Sequence, residues 1–113
     1  MASNTLSGDL ISERYGAALY DLASEKKCID DILNDFELVQ KALKESSELR
    51  QVIKSPLVNS DEKLNILLKL FSKANLHNLT TTFLKVLDNN KRISNIGSIT
   101  VSYTHLTLPT MMS

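Results

Sequence analysis

The chain has 113 residues, enough for one domain, and 42% of them are hydrophobic, close to a globular average and away from disorder. Lys plus Arg and Asp plus Glu number 13 each, so the net charge is zero and a general nucleic-acid binder, which needs a cationic surface, is excluded. A single cysteine, Cys28, excludes an internal disulfide, no apolar run approaches the roughly 20 residues that cross a bilayer, and the opening residues, with Asp9 and Glu13, resemble neither a signal nor a transit peptide. A soluble, cytosolic protein with no direct membrane insertion is the expectation.

Apolar residues then recur at helical spacing along most of the chain. Ile11, Tyr15, Ala18 and Leu22 follow i, i+4, i+7, i+11, and Ala17 and Leu19 widen the stripe. The spacing predicts a first helix from about Leu6 to Lys26, with Thr5 or Ser7 as its cap. Ile29, Ile32, Leu33, Phe36, Val39 and Leu43 keep one face apolar in a second helix. Ser46 and Ser47 interrupt it, and Glu48 to Ile53 forms a short third helix that must stop before Pro56.

Asn59 and Glu62 have the spacing of a capping box and open the fourth helix. Its residues Leu64, Ile66, Leu67, Leu68, Leu70 and Phe71 are apolar over more than half the circumference. Such a helix is buried on two sides or keeps one side for a partner. A break at Ala74-Asn75 precedes a fifth stripe, Leu76, Leu79, Phe83, Val86 and Leu87, which Asn89-Asn90 ends. Ser94 can cap a last helix containing Ile96 and Ile99. The expected fold is all-α, an antiparallel bundle of five or six helices over residues 1–100.

Residues 101–113 break the pattern. They are rich in β-branched residues and alternate apolar with polar at Tyr103-Thr104 and Leu106-Thr107-Leu108, a period near two that reads as an isolated strand-like tail.

Little in the sequence supports chemistry. Cys28, His77 and His105 cannot make a zinc site of the usual spacing, and the three glycines, 8, 16 and 97, stand apart with no phosphate-binding loop. Cys28 reads as a half-buried junction residue and His77 as a surface residue near a helix start. Catalytic residues, cofactor ligands and metal ligands are all expected to be none. What remains is surface: the small residues Gly16, Ala17 and Ala18 serve either packing within the bundle or a groove, bordered by the first and fifth helices, for a partner's amphipathic helix.

Three segments carry a family resemblance. Arg14-Tyr15-Gly16-Ala17-Ala18-Leu19-Tyr20-Asp21-Leu22-Ala23 is similar to a first-helix pattern Arg-Tyr-Ala-x-Ala-Leu-Phe-x-Leu-Ala, with Gly16 and Tyr20 as departures. Ser55-Pro56-Leu57-Val58, followed by Asp61-Glu62-Lys63, is similar to its Ser-Pro-Leu-Ile boundary, and Phe83, Leu84, Leu87, Asn90, Arg92 and Ile93 fit its fifth-helix ending. In this order they resemble the N-terminal domain of the F-type ATP synthase delta subunit, the oligomycin-sensitivity-conferring protein family, over about Ser7 to Ile99.

The resemblance implies a six-helix, non-catalytic stator domain that binds no nucleotide. It would sit peripherally on the cytoplasmic side of the bacterial inner membrane and hold the N-terminal helix of an alpha subunit. The peripheral stalk b subunit would be reached only through a C-terminal domain that follows in the family. Carried over by position, the groove comprises Tyr15, Ala18, Leu19 and Leu22 of the first helix and Leu79, Phe83, Val86 and Leu87 of the fifth, some of which must face the core instead. The last dozen residues resemble translated sequencing-adapter read-through, so native sequence is expected to end near Thr100, without the stalk-binding domain. A free-standing helical adaptor with a different partner is the alternative reading.

Overall fold

Each apolar stripe becomes a helix, and the breaks fall where capping residues and proline put them. The computed structural model describes the backbone of residues 2–108 and the side chains of residues 10–108. The described residues form α1 (Ala2–Glu25), α2 (Ile29–Glu45), α3 (Ser47–Lys54), α4 (Ser60–Leu70), α5 (Asn78–Asn89) and α6 (Ile96–Thr107), with single 3-10 turns at Ser72–Ala74 and Ile93–Asn95. The architecture is an all-α bundle with no strand among the described residues. α1 begins at Ala2, so neither Thr5 nor Ser7 opens it; their side chains lie outside the described residues.

The other boundaries follow local chemistry. Lys27 takes a left-handed backbone (φ 58°) between α1 and α2, as does Asn75 (φ 54°) after the Ser72–Ala74 turn and Lys91 (φ 59°) after α5. The Ser46 hydroxyl accepts from the Leu49 amide at 3.1 Å and starts α3. The Glu62 carboxylate accepts from the Asn59 amide at 3.2 Å, the reach-back half of the capping box. Ser94 does not cap the last helix: it lies inside the 3-10 turn, and α6 starts two residues later, at Ile96, with Asn95 in the cap position.

The core runs through all six α-helices and the Ile93–Asn95 turn: Leu19, Ile32, Phe36, Val39, Ile53, Leu67, Leu84, Leu87, Ile93, Ile96, Ile99 and Tyr103 are all nearly or fully inaccessible. Cys28 is buried there too, at the start of α2, rather than half-exposed. α4 buries one side only: Leu64 and Leu67 face inward, while Ile66 and Leu70 stay exposed.

α6 overturns the strand-like reading of residues 101–107. These residues continue the helix that begins at Ile96; 109–113 lie outside the described residues. Ile96, Ile99, Thr100 and Tyr103 are its buried side, at i, i+3, i+4, i+7, so burial of a helical stripe outweighs β-branched propensity. α6 lies between α1 and α2, which touch each other little. Its Tyr103 is the centre of an aromatic cluster, edge-on to Phe36 (centroids 5.2 Å apart) and to Tyr20 (6.1 Å). The Tyr103 hydroxyl donates to the Ile29 carbonyl at 2.9 Å, and Gln40 Nε2 donates to Thr104 Oγ1 at 3.2 Å.

α1 reaches α6 only because residue 16 is glycine. A Cβ there would stand 2.9 Å from Ser102 Cβ and 3.2 Å from the Tyr103 amide nitrogen. The departure from alanine in the first-helix pattern therefore matches the close approach of α6. On the far side, Asp35 of α2 fastens the start of α5. Its Oδ2 accepts from the His77 amide at 2.8 Å and from Thr80 Oγ1 at 2.7 Å, while His77 Nδ1 accepts from the Leu79 amide at 3.0 Å.

Two stability outcomes follow from the α6 contacts. Gly16→Ala adds about 1 kcal/mol of helix propensity, but the neighbour is a Cβ and backbone rather than a flexible tip, and overpacking costs about 1–3 kcal/mol. Thermal melts should therefore show a lower Tm, not a higher one. Burial pushes the Tyr103 phenol well above the ordinary tyrosine range, with Cys28, Tyr20 and Asp30 adding to the shift. Because the folded value is raised, this contribution is intact below the unfolded pKa of about 10 and is lost as pH rises through the folded value. Denaturant unfolding across that range should show Tyr103→Phe less stable by about 1 kcal/mol at neutral pH, with a shallower alkaline decline than the parent chain.

Candidate functional site

α1 and α5 meet at one aromatic contact. Tyr15, half-buried on α1, stands edge-on to Phe83 of α5, with centroids 6.3 Å apart and planes at 67°. Its hydroxyl accepts from Asn90 Nδ2, at the end of α5, at 3.0 Å. The two helices otherwise pack on different neighbours, α1 on α6 and α5 on α4.

The structure divides the eight expected groove residues into two sets. Leu19, Leu79, Phe83 and Leu87 are buried, with Leu19 and Leu87 fully inside, and so belong to the bundle core rather than to a docking face. Ala18, Leu22 (39% exposed) and Val86 (43% exposed) open to solvent, with Tyr15 between the sets. Helical spacing explains the division. Leu19 and Ala23 turn inward on α1, while Tyr15, Ala18 and Leu22 lie at i, i+3, i+7 on the adjoining side. On α5, Phe83, Leu84 and Leu87 take the core side and Val86 falls off it. Exposure alone does not single out this face, since Leu10, Leu57, Leu70 and Leu106 are exposed elsewhere. What distinguishes it is that exposed apolar residues follow both partners of the Tyr15–Phe83 contact along their helices, Ala18 and Leu22 after Tyr15 and Val86 after Phe83.

Two other chemistry-bearing side chains, His77 and Asp35, serve the start of α5. His77 caps α5 through Nδ1, a role its position just before that helix could have suggested. Asp35, which sequence reasoning passed over, serves the same helix start from α2; no local signal marks a carboxylate whose partners lie 42 and 45 residues away. Among the described residues no group of His, Cys, Asp or Glu could hold a metal ion, and no helix is long and apolar enough to cross a membrane.

The described residues thus form an all-α bundle with apolar side chains left exposed beside the contact of α1 with α5. The profile of the ATP synthase delta (OSCP) subunit family matches residues 11–110, and the chain belongs to that family. The match runs past the boundary expected near Thr100 and takes in all of α6. Among its relatives, the ATP synthase subunit delta of Carboxydothermus hydrogenoformans is 38% identical over 82 residues, 73% of this chain and 45% of the relative. That of Rhizorhabdus wittichii is 34% identical over 93 residues, 82% of this chain and 50% of the relative. The Bradyrhizobium diazoefficiens protein is 29% identical over 103 residues, 91% of this chain and 55% of the relative. The chain thus spans about half the length of the curated relatives it matches.

The two sets of residues should separate in thermal melts. Leu19→Ala and Leu87→Ala leave cavities in the core and should each cost about 2–5 kcal/mol, on the order of 10 °C or more in Tm for a domain of this size. Leu22→Ser and Val86→Ser should stay within about 0.5 kcal/mol of the parent chain.

Proposed function

We propose that this domain is a non-catalytic stator element of a proton-transporting F-type ATP synthase. The face bordered by α1 and α5 receives the N-terminal amphipathic helix of an alpha subunit. The observation that carries this reading is the apolar set left exposed beside the Tyr15–Phe83 contact, on a chain of the delta family. An amphipathic helix covers such a face by laying its own apolar stripe between two helices, with anchors one turn apart. Tyr15, Ala18, Leu22 and Val86 supply the contact, while Leu19, Leu79, Phe83 and Leu87 hold the two helices from behind.

In this role the domain needs no cofactor. Its task is mechanical: to hold the catalytic head still while the rotor turns, so that the proton gradient drives ATP synthesis. The domain acts peripherally, at the cytoplasmic side of a bacterial inner membrane. Contact with the peripheral stalk b subunit falls to the part of the relatives' length that this chain does not span.

Calorimetric titration of the folded chain with an alpha-subunit N-terminal peptide tests the reading. Saturable binding is expected, weakened by about 1–3 kcal/mol on replacing Tyr15 or Val86 by Ala if either is an anchor. A folded sample that shows no binding would overturn it in favour of a helical adaptor with another partner.

A further inference from the structure

The two walls of the α1–α5 face share few direct ties. Tyr15 meets Phe83 edge-on, and among the described residues one side-chain hydrogen bond joins α1 to the end of α5: Asn90 Nδ2 donates to the Tyr15 hydroxyl at 3.0 Å, across 75 positions of sequence. Asn90 itself is exposed and adds nothing to the core.

The backbone at Asn90 is held without help from its side chain. α5 ends in a Schellman turn: Lys91 takes the left-handed conformation, its amide donates to the Asp88 carbonyl at 3.0 Å, and the Arg92 amide donates to the Leu87 carbonyl at 2.7 Å. The next residue, Ile93, is buried in the core. Ser60 Oγ donates to the Asp88 carbonyl at 3.2 Å and fastens the same turn to the start of α4. The Asn90 carboxamide is therefore presented from a fixed point and is free to reach α1. It holds the hydroxyl end of Tyr15 while Phe83 holds the ring, so the half-buried Tyr15 is fixed at two points. Val86 lies four residues before Asn90, about one turn of α5 away. A helix laid between two others needs their spacing set to within the width of its side chains, and a wall fixed beforehand lowers the ordering cost of binding.

Resting on the docking role proposed for the α1–α5 face, we propose that Asn90 is a positioning residue for the docked helix. Its carboxamide ties α5 to α1 through the Tyr15 hydroxyl and sets both the orientation of Tyr15 and the spacing of the two walls. It acts on the partner through Tyr15 rather than by contact of its own.

Two measurements on the full chain test this role. In the free chain, nuclear Overhauser contacts between the Tyr15 and Phe83 rings should weaken in Asn90→Ala. In titrations with the alpha-subunit N-terminal peptide, Asn90→Ala and Tyr15→Phe should each lower the affinity about threefold or more, the worth of an ordinary hydrogen bond. The double variant should lose no more than either single one, because both remove the same bond. Asn90→Asp should restore most of the affinity, since its carboxylate accepts from the Tyr15 hydroxyl. Ring contacts unchanged in free Asn90→Ala, Asn90→Ala binding as tightly as a parent chain that binds, or losses that add in the double variant would each overturn the positioning role and leave the docking role standing. A folded parent chain that binds no peptide removes the docking role and takes the positioning role with it.

Discussion

The bundle depends on one insertion: Tyr103 of α6 driven between α1 and α2. The two long helices make little direct contact, so α6 supplies most of what holds them together. Tyr103 supplies the largest fully buried side chain, two edge-on aromatic contacts and a hydrogen bond to the first residue of α2. Gly16 is its counterpart on α1, because only a residue without a Cβ lets the α6 backbone come that close. The candidate face inherits this geometry. The α1–α5 face exists because α1 is committed to α6 and meets α5 chiefly through one tyrosine.

The far half of the bundle is tied differently. α5 has no acidic residue in its first turn, and its exposed amide dipoles are met instead by a carboxylate from α2 and an imidazole from the preceding residue. This places α5 against Phe36 through Phe83. In the proposed stator role the domain would have to transmit force without repacking. Aromatic and hydrogen-bonded ties that join distant elements suit that demand better than surface ion pairs, which contribute little.

Most of the fold was legible in the sequence because its helices are bounded by local chemistry. The Ser46 cap, the stop before Pro56, the Asn59–Glu62 reach-back and the Asn89-Asn90 end all involve residues within four positions of one another. α6 was misread past Thr100 because its β-branched residues and the alternation around Leu106 suggest a strand. The helical signal, Ile96–Ile99–Tyr103, was present but crossed the supposed boundary. The candidate face was only half legible. Leu19 and Leu22, or Val86 and Leu87, are equally apolar and three or fewer positions apart, and periodicity cannot say which of two adjacent stripes a neighbouring helix will cover.

The sequence by itself determined the helical class, the helix breaks and the family, because these rest on short-range spacing and on motifs kept in order. Tertiary structure alone decided which side of α1 and α5 is buried, why residue 16 must be small, and that Asp35 serves a helix start 42 residues away. Each of these depends on which helices become neighbours, and that is set by how all the apolar stripes are buried at once rather than by any one of them.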